Sequence, residues 1–411
     1  MTSPNPHYTP NPERAIYVHG TIDQALIHRL TPQIISLQNQ SREPITVYID
    51  SPGGIVIYME SLLNLLRASN QQYEQPCRLI TVVTSLAASA AADMLASGNY
   101  ALAYPDSTIL YHGVRLPGDR ALTVEETLQL AQRLRVGNEN YAMKLAREAE
   151  FRAVFRYITH KSQFQKIRDE NPDRALSDLD CFIHIISEHL SESASEVLGK
   201  ARERHGRYSA LLLHVMRANR SKRPYKTTVD MEAADIKAIV EFERRQNRKN
   251  EHWSFLGEGI HRLTDDVFLL YEYLNMFRSE RFRALCQMFA DFLLSADELE
   301  AINQTMPEED RPQKIVEAVR PQLRPIWSFF VALCHVLQQG ENQLTATDAF
   351  WLGLIDEVIG VKDLPSFRLM AEFAEQQRAK AAQVGSGNAG ELATGTGEEP
   401  SQLTAPEPPP S

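Results

Sequence analysis

Cysteine is scarce: Cys77, Cys181, Cys286 and Cys334 are the only four in 411 residues, scattered through apolar segments. That excludes a disulfide framework and points to buried thiols in a reducing compartment. There is no Gly-x-x-x-x-Gly-Lys-Ser/Thr loop, so any use of ATP must come from another molecule. His184, His189, His205, His214, His252 and His261 neither flank a glutamate at i, i+4 nor sit beside cysteines, so neither a metal nor another cofactor is expected. No apolar run reaches membrane-spanning length, because the uncharged stretch 79–92 is short and rich in Ser, Thr and Ala. The start, Met1-Thr-Ser-Pro-Asn-Pro6, has no basic region followed by an apolar core, so no signal peptide is read there. The formal net charge of −10 argues against general binding to nucleic acid or an anionic membrane. What these absences leave is a cytoplasmic globular protein with 43% hydrophobic residues, enough for one large domain or two ordinary ones.

Chemistry-bearing residues concentrate in one alternating strand-helix stretch. Ile45-Thr-Val-Tyr-Ile-Asp50 is a buried-strand pattern that breaks at Ser51-Pro-Gly-Gly54. The two glycines permit positive φ and close approach of a ligand to bare backbone N–H groups. A helix follows, with Ile57, Met59, Leu62, Leu63 and Leu66 on its apolar face. A second strand, Leu79-Ile-Thr-Val-Val-Thr84, leads through Ser85-Leu86 into Ala87-Ala-Ser-Ala-Ala-Ala92, which places Ser89 at a helix start between small residues. A third strand, Ser107-Thr-Ile-Leu-Tyr111, delivers His112 beside Gly113. In this order the parts suit attack on a carbonyl: an oxyanion site, a nucleophile and a general base.

Arg14-Ala-Ile-Tyr-Val-His-Gly-Thr-Ile-Asp23, Tyr48-Ile-Asp-Ser-Pro-Gly-Gly54, Ser85-Leu-Ala-Ala-Ser-Ala-Ala92, Ser107-Thr-Ile-Leu-Tyr-His112 and Leu344-Thr-Ala-Thr-Asp-Ala-Phe-Trp-Leu-Gly-Leu-Ile-Asp356 resemble the Clp protease proteolytic-subunit family. The resemblance covers about 13–150 and 338–362 and implies an α/β fold, a spiral of repeated β-β-α units shared with the crotonases. It implies Ser89 as nucleophile, His112 as general base, and the Gly54 and Ala90 N–H groups as oxyanion donors. The family's acid falls at Glu341 here, a glutamate where relatives carry aspartate. The resemblance further implies a peptide or unfolded-protein substrate, a homo-oligomer, and an AAA+ unfoldase as partner. Asp348 is read as half of a helix-capping pair with Thr345, and Asp356 as lying outside the triad. Asp93, one turn beyond Ser89 where relatives carry an apolar residue, has two readings, facing the active-site cavity or pairing with a neighbour, and the second is expected.

The expected organisation is a disordered N-terminus (1–12), a first core part (13–150), a helical insertion (151–337), a second core part (338–375) and a disordered tail (376–411). The helix after His112 opens with the capping box Thr123-Val-Glu-Glu126. Helices within the insertion are expected at 151–158, 178–190, from the Ser193-Ala-Ser-Glu196 cap, and at 208–218, 231–245, 265–276, 280–294, 295–303 and 325–337. The basic cluster Arg217, Arg220, Lys222, Arg223 and Lys226, followed by Arg244, Arg245, Arg248 and Lys249, is interleaved with glutamates and reads as a solvated surface. Three rival functions stand beside the peptidase: a crotonase-type acyl-CoA enzyme, a serine-lysine peptidase using Lys144, and a non-catalytic scaffold whose insertion binds partners.

Overall fold

The computed structural model describes residues 9–69, 75–115, 123–219 and 280–366. Strands β1 (Ala15–His19), β2 (Ile45–Ser51), β3 (Leu79–Ala88) and β4 (Tyr100–Ala103) lie side by side and parallel. Their β-branched residues suit burial on both faces of a parallel sheet, and Ile45, Val47 and Ile49 of β2 have no exposed surface. Helices α1 (Gln24–Gln40), α2 (Val56–Leu66) and α3 (Ala90–Ala96) follow the first three strands.

Strand β3 does not stop at Thr84. Its far half leaves β4 and pairs with β5 (Thr108–His112) through Leu86↔Thr108, Ala87↔Ile109 and Ala88↔Leu110. This second partner supplies the ladder that carries the strand to Ala88, the residue before Ser89. Strand β6 (Glu341–Thr345) pairs antiparallel with β5, and β7 (Glu357–Val358) closes the other edge beside β4. The result is a seven-stranded α/β sheet.

Helix α4 (Val124–His160) opens with the Thr123–Glu126 capping box and runs unbroken for 37 residues, about 55 Å. The boundary expected at 150/151 lies inside it, because no glycine or proline interrupts residues 138–160. The inner half of α4 is anchored by two buried arginines. Arg152 pairs with Asp356 at 2.7 Å and also donates to the Ala96 and Gly98 carbonyls. Arg156 lies over the Phe350 ring, 3.2 Å from its centroid, and donates to the carbonyls of Phe350, Ile355 and Asp356.

Beyond α4 the described residues up to Leu337 contain helices and no strand: α5 (Phe164–Glu170), α6 (Asp178–Ser187), α7 (Glu192–Asn219), α8 (Glu280–Met288), α9 (Ala290–Leu293), α10 (Ala296–Thr305) and α11 (Arg311–Leu337). Several bounds differ from the sequence expectation. Helix α7 starts before Ser193, with Ser191 Oγ accepting from the Ala194 amide, and includes 208–218. Helix α11 begins well before Pro325 and passes through Pro321 and Pro325. Burial of Val316, Val319, Leu323, Ile326 and Trp327 offsets the lost backbone bonds there. The expected helices at 231–245 and 265–276, and the basic residues from Arg220 to Lys249, lie outside the described residues.

The helical segment packs on the sheet body near α12 (Ala346–Trp351). His189 stacks on Trp351 with centroids 4.1 Å apart, and the Ser191 amide and hydroxyl both donate to Asp348. All four cysteines are free and buried. No helix among the described residues is long and apolar enough to cross a membrane.

Candidate active site

Two tight backbone approaches shape the turn after β2. A Cβ on Gly53 would lie 2.5 Å from the Ala88 carbonyl oxygen, 2.7 Å from Ser89 Cβ and 3.2 Å from the Ala90 nitrogen. A Cβ on Gly54 would lie 2.2 Å from the Ile22 carbonyl oxygen. Glycine is therefore required at both places, and it brings the 51–54 turn directly against the start of α3. Among the described residues, neither the Gly54 nor the Ala90 N–H donates to a partner.

Ser89 sits on the sharp turn from β3 into α3. It is the one non-glycine residue with positive φ among those described, at φ 57° and ψ −127°. Such a conformation costs about 1–3 kcal/mol, so its surroundings must impose it. Here the Ser89 N–H donates to the Leu110 carbonyl at 2.8 Å, and Gly53 presses from the other side. The β3–β5 register then sets His112 at the strand end next to the Ser89 turn.

The His112 Nδ1 lies 2.6 Å from the Gly113 carbonyl. An N–H at Nδ1 would donate to that oxygen and leave Nε2 as the acceptor, the tautomer a general base needs. Glu341 stands directly opposite His112 in the β5–β6 ladder, so their side chains share a face with Cβ atoms roughly 5 Å apart. Its carboxylate, however, bonds to Arg115 rather than to the imidazole. Both members of that pair are more than half exposed, and such pairs contribute about 0–1 kcal/mol. A rotamer change that carries Glu341 to His112 is therefore inexpensive. No hydrogen bond links Ser89 Oγ to His112, or His112 to Glu341, among the described residues.

The remaining carboxylates are engaged elsewhere. Asp348 caps α12 with Thr345 and holds Ser191. Asp356 is bound to Arg152 and the Ala101 amide. Asp93 accepts from Gln338 Nε2 at 3.0 Å, so it does pair with a neighbour. Burial raises its pKa to about 7; Lys144 and the Gln338 bond oppose that rise, and Glu60 adds to it. Lys144 is bonded to Glu60 at 3.0 Å. Gly113, Arg115 and Gln338 gave no signal in the sequence, since a carbonyl, an exposed cation and an amide carry no motif. Among the described residues no three His, Cys, Asp or Glu side chains are grouped to hold a metal.

The Clp protease family model matches residues 10–135, which include the glycine turn, Ser89 and His112. An ATP-dependent Clp protease proteolytic subunit of Carsonella ruddii (strain PV) is 29% identical over 102 residues, 24% of this chain and 50% of the relative. The chain thus spans about half the length of that curated relative. The Clp match ends within α4, so Glu341 and the helical segment lie beyond it.

Proposed function

We propose that the chain is a serine-type peptidase of Clp protease type. The observation that carries this reading is the positive φ of Ser89, at a strand-to-helix turn pressed by Gly53 and adjacent to His112. A serine held in this way presents its hydroxyl outward, as in other strained nucleophile turns. His112 takes the hydroxyl proton through Nε2 as Ser89 Oγ attacks a peptide carbonyl. The free Gly54 and Ala90 N–H groups receive the oxyanion. Protonated His112 then gives its proton to the leaving amine, and water releases the acyl group by the reverse path. Glu341, swung from Arg115 to His112, supplies the charge that stabilises the imidazolium.

The same reading makes the substrate a peptide or unfolded polypeptide. It makes the working form a homo-oligomer served by an ATP-driven unfoldase in the cytoplasm, a compartment that suits four free buried thiols. A serine-lysine dyad is disfavoured because Lys144 is tied to Glu60. The test is labelling of the intact protein with a fluorophosphonate. Modification is expected at Ser89 and absent in Ser89→Ala; a folded wild type left unlabelled overturns the assignment.

A further inference from the structure

Asp93 lies in the first turn of α3, four residues after Ser89 at its N-cap, and the Asp93 amide donates to the Ser89 carbonyl at 3.3 Å. Ala90, Ala91 and Ala92 between them carry nothing larger than a methyl group. Polar groups from several elements meet at Asp93. Gln338, just after α11, donates to it at 3.0 Å. Glu60 of α2 and Lys144 of α4 form their own pair at 3.0 Å beside it. Tyr141 of α4, Tyr111 of β5 and Cys334 of α11 complete the surroundings.

Two carboxyl groups thus share one ammonium, and that ammonium is bonded to Glu60. The Asp93 carboxylate has Gln338 as its only hydrogen-bond partner among the described residues, although a carboxylate accepts about four. The group is not sealed in the core: Asp93 is part-exposed, and the Lys144 and Glu60 side chains are 34% and 40% exposed. It lies four residues, about 6 Å along the helix axis, from Ser89, a distance a lysine or arginine side chain spans.

We infer that Asp93 is a specificity-determining residue, the floor of a subsite that takes a cationic side chain. That side chain, lysine or arginine, belongs to the substrate residue whose carbonyl Ser89 attacks. The inference rests on the peptidase reading and adds the substrate class to it. The raised pKa of Asp93 supports it, since an arriving cation favours the carboxylate. The preference for a basic residue should then rise between about pH 6 and pH 8. Of the charged groups around Asp93, Lys144 favours its carboxylate but repels an arriving cation, while Glu60 does the reverse on both counts.

The experiment uses the intact protein and two peptidyl phosphonates that differ only in the reacting residue, one carrying lysine and the other leucine. The rate of Ser89 modification is read by mass spectrometry, beside a small fluorophosphonate. The lysine probe is expected to react at least about tenfold faster, and Asp93→Asn to lower the lysine-to-leucine ratio by a similar factor. Glu60→Gln, which releases Lys144 toward Asp93, should lower it too and serves if Asp93→Asn does not fold. The quotient removes any titration common to both rates. If the fluorophosphonate labels Ser89 but the leucine probe is as fast as the lysine probe, the subsite is overturned and the nucleophile stands. If no reagent labels Ser89 in folded protein, both fall.

Discussion

Gly53 and Ser89 are packed so closely that a single added methyl would place two carbon atoms 2.7 Å apart. The contact joins the turn that offers the Gly54 N–H to the turn that offers the serine. Gly53→Ala must displace one of them, since the nearest atom of all, at 2.5 Å, is the Ala88 backbone oxygen, not a yielding side chain. The positive φ of 91° adds strain of its own. The expected result is a loss of about a hundredfold or more in kcat, measured on peptide substrates, in a protein that still folds. Near-normal turnover would remove the glycine turn from the site.

Glu341 tests how His112 is held. The Gly113 carbonyl can fix the tautomer, but only a carboxylate adds a full charge to stabilise the imidazolium. Glu341→Gln should therefore lower kcat by at least about tenfold with little change in KM. Arg115→Ala, which frees the carboxylate, should leave kcat the same or higher. Unchanged kcat in Glu341→Gln would leave a serine-histidine pair oriented by a backbone carbonyl alone.

Much of this arrangement was legible in the chain. The β-branched runs marked β2, β3 and β5, and the turns between them named Gly54, Ser89, Ala90 and His112. The capping boxes at Thr123 and Ser295 were visible because both partners are local, three residues apart. What stayed hidden depends on distant partners. Arg152 and Arg156 read as charges on a helix, yet each is buried by groups some two hundred positions away. The backbone angle of Ser89 comes from contacts with Gly53 and Leu110, so no local pattern reports it. The passage of α11 through two prolines follows from burial that propensity cannot express.

Asp93 makes stability depend on pH. Its folded pKa of about 7 lies above the value near 4 of an unfolded aspartate, so the folded state holds the proton more tightly. The stabilisation is complete below about pH 4 and is lost as pH rises through 7, with a ceiling of about 4 kcal/mol. Asp93→Asn mimics the protonated form and should remove that loss. Its Tm relative to wild type should climb between pH 5 and pH 8. A difference that stays flat over this range would show that Asp93 ionises freely in the folded protein.

The Arg152–Asp356 pair carries the last prediction, because it joins α4 to the strand that closes the sheet. Both side chains are almost wholly buried and tied to their surroundings: Arg152 serves Asp356 and two carbonyls, and Asp356 also receives the Ala101 amide. Replacing Asp356 with alanine leaves a guanidinium in the interior without its counter-charge and an amide without its acceptor. The cost for such a half-removed pair is about 3–5 kcal/mol, against about 0–1 kcal/mol for an exposed one. Asp356→Ala should thus lower the denaturation midpoint steeply, while Arg115→Ala, which breaks the exposed pair with Glu341, should barely move it. Equal midpoints for the two variants would mean that α4 is held to the sheet by its apolar face alone.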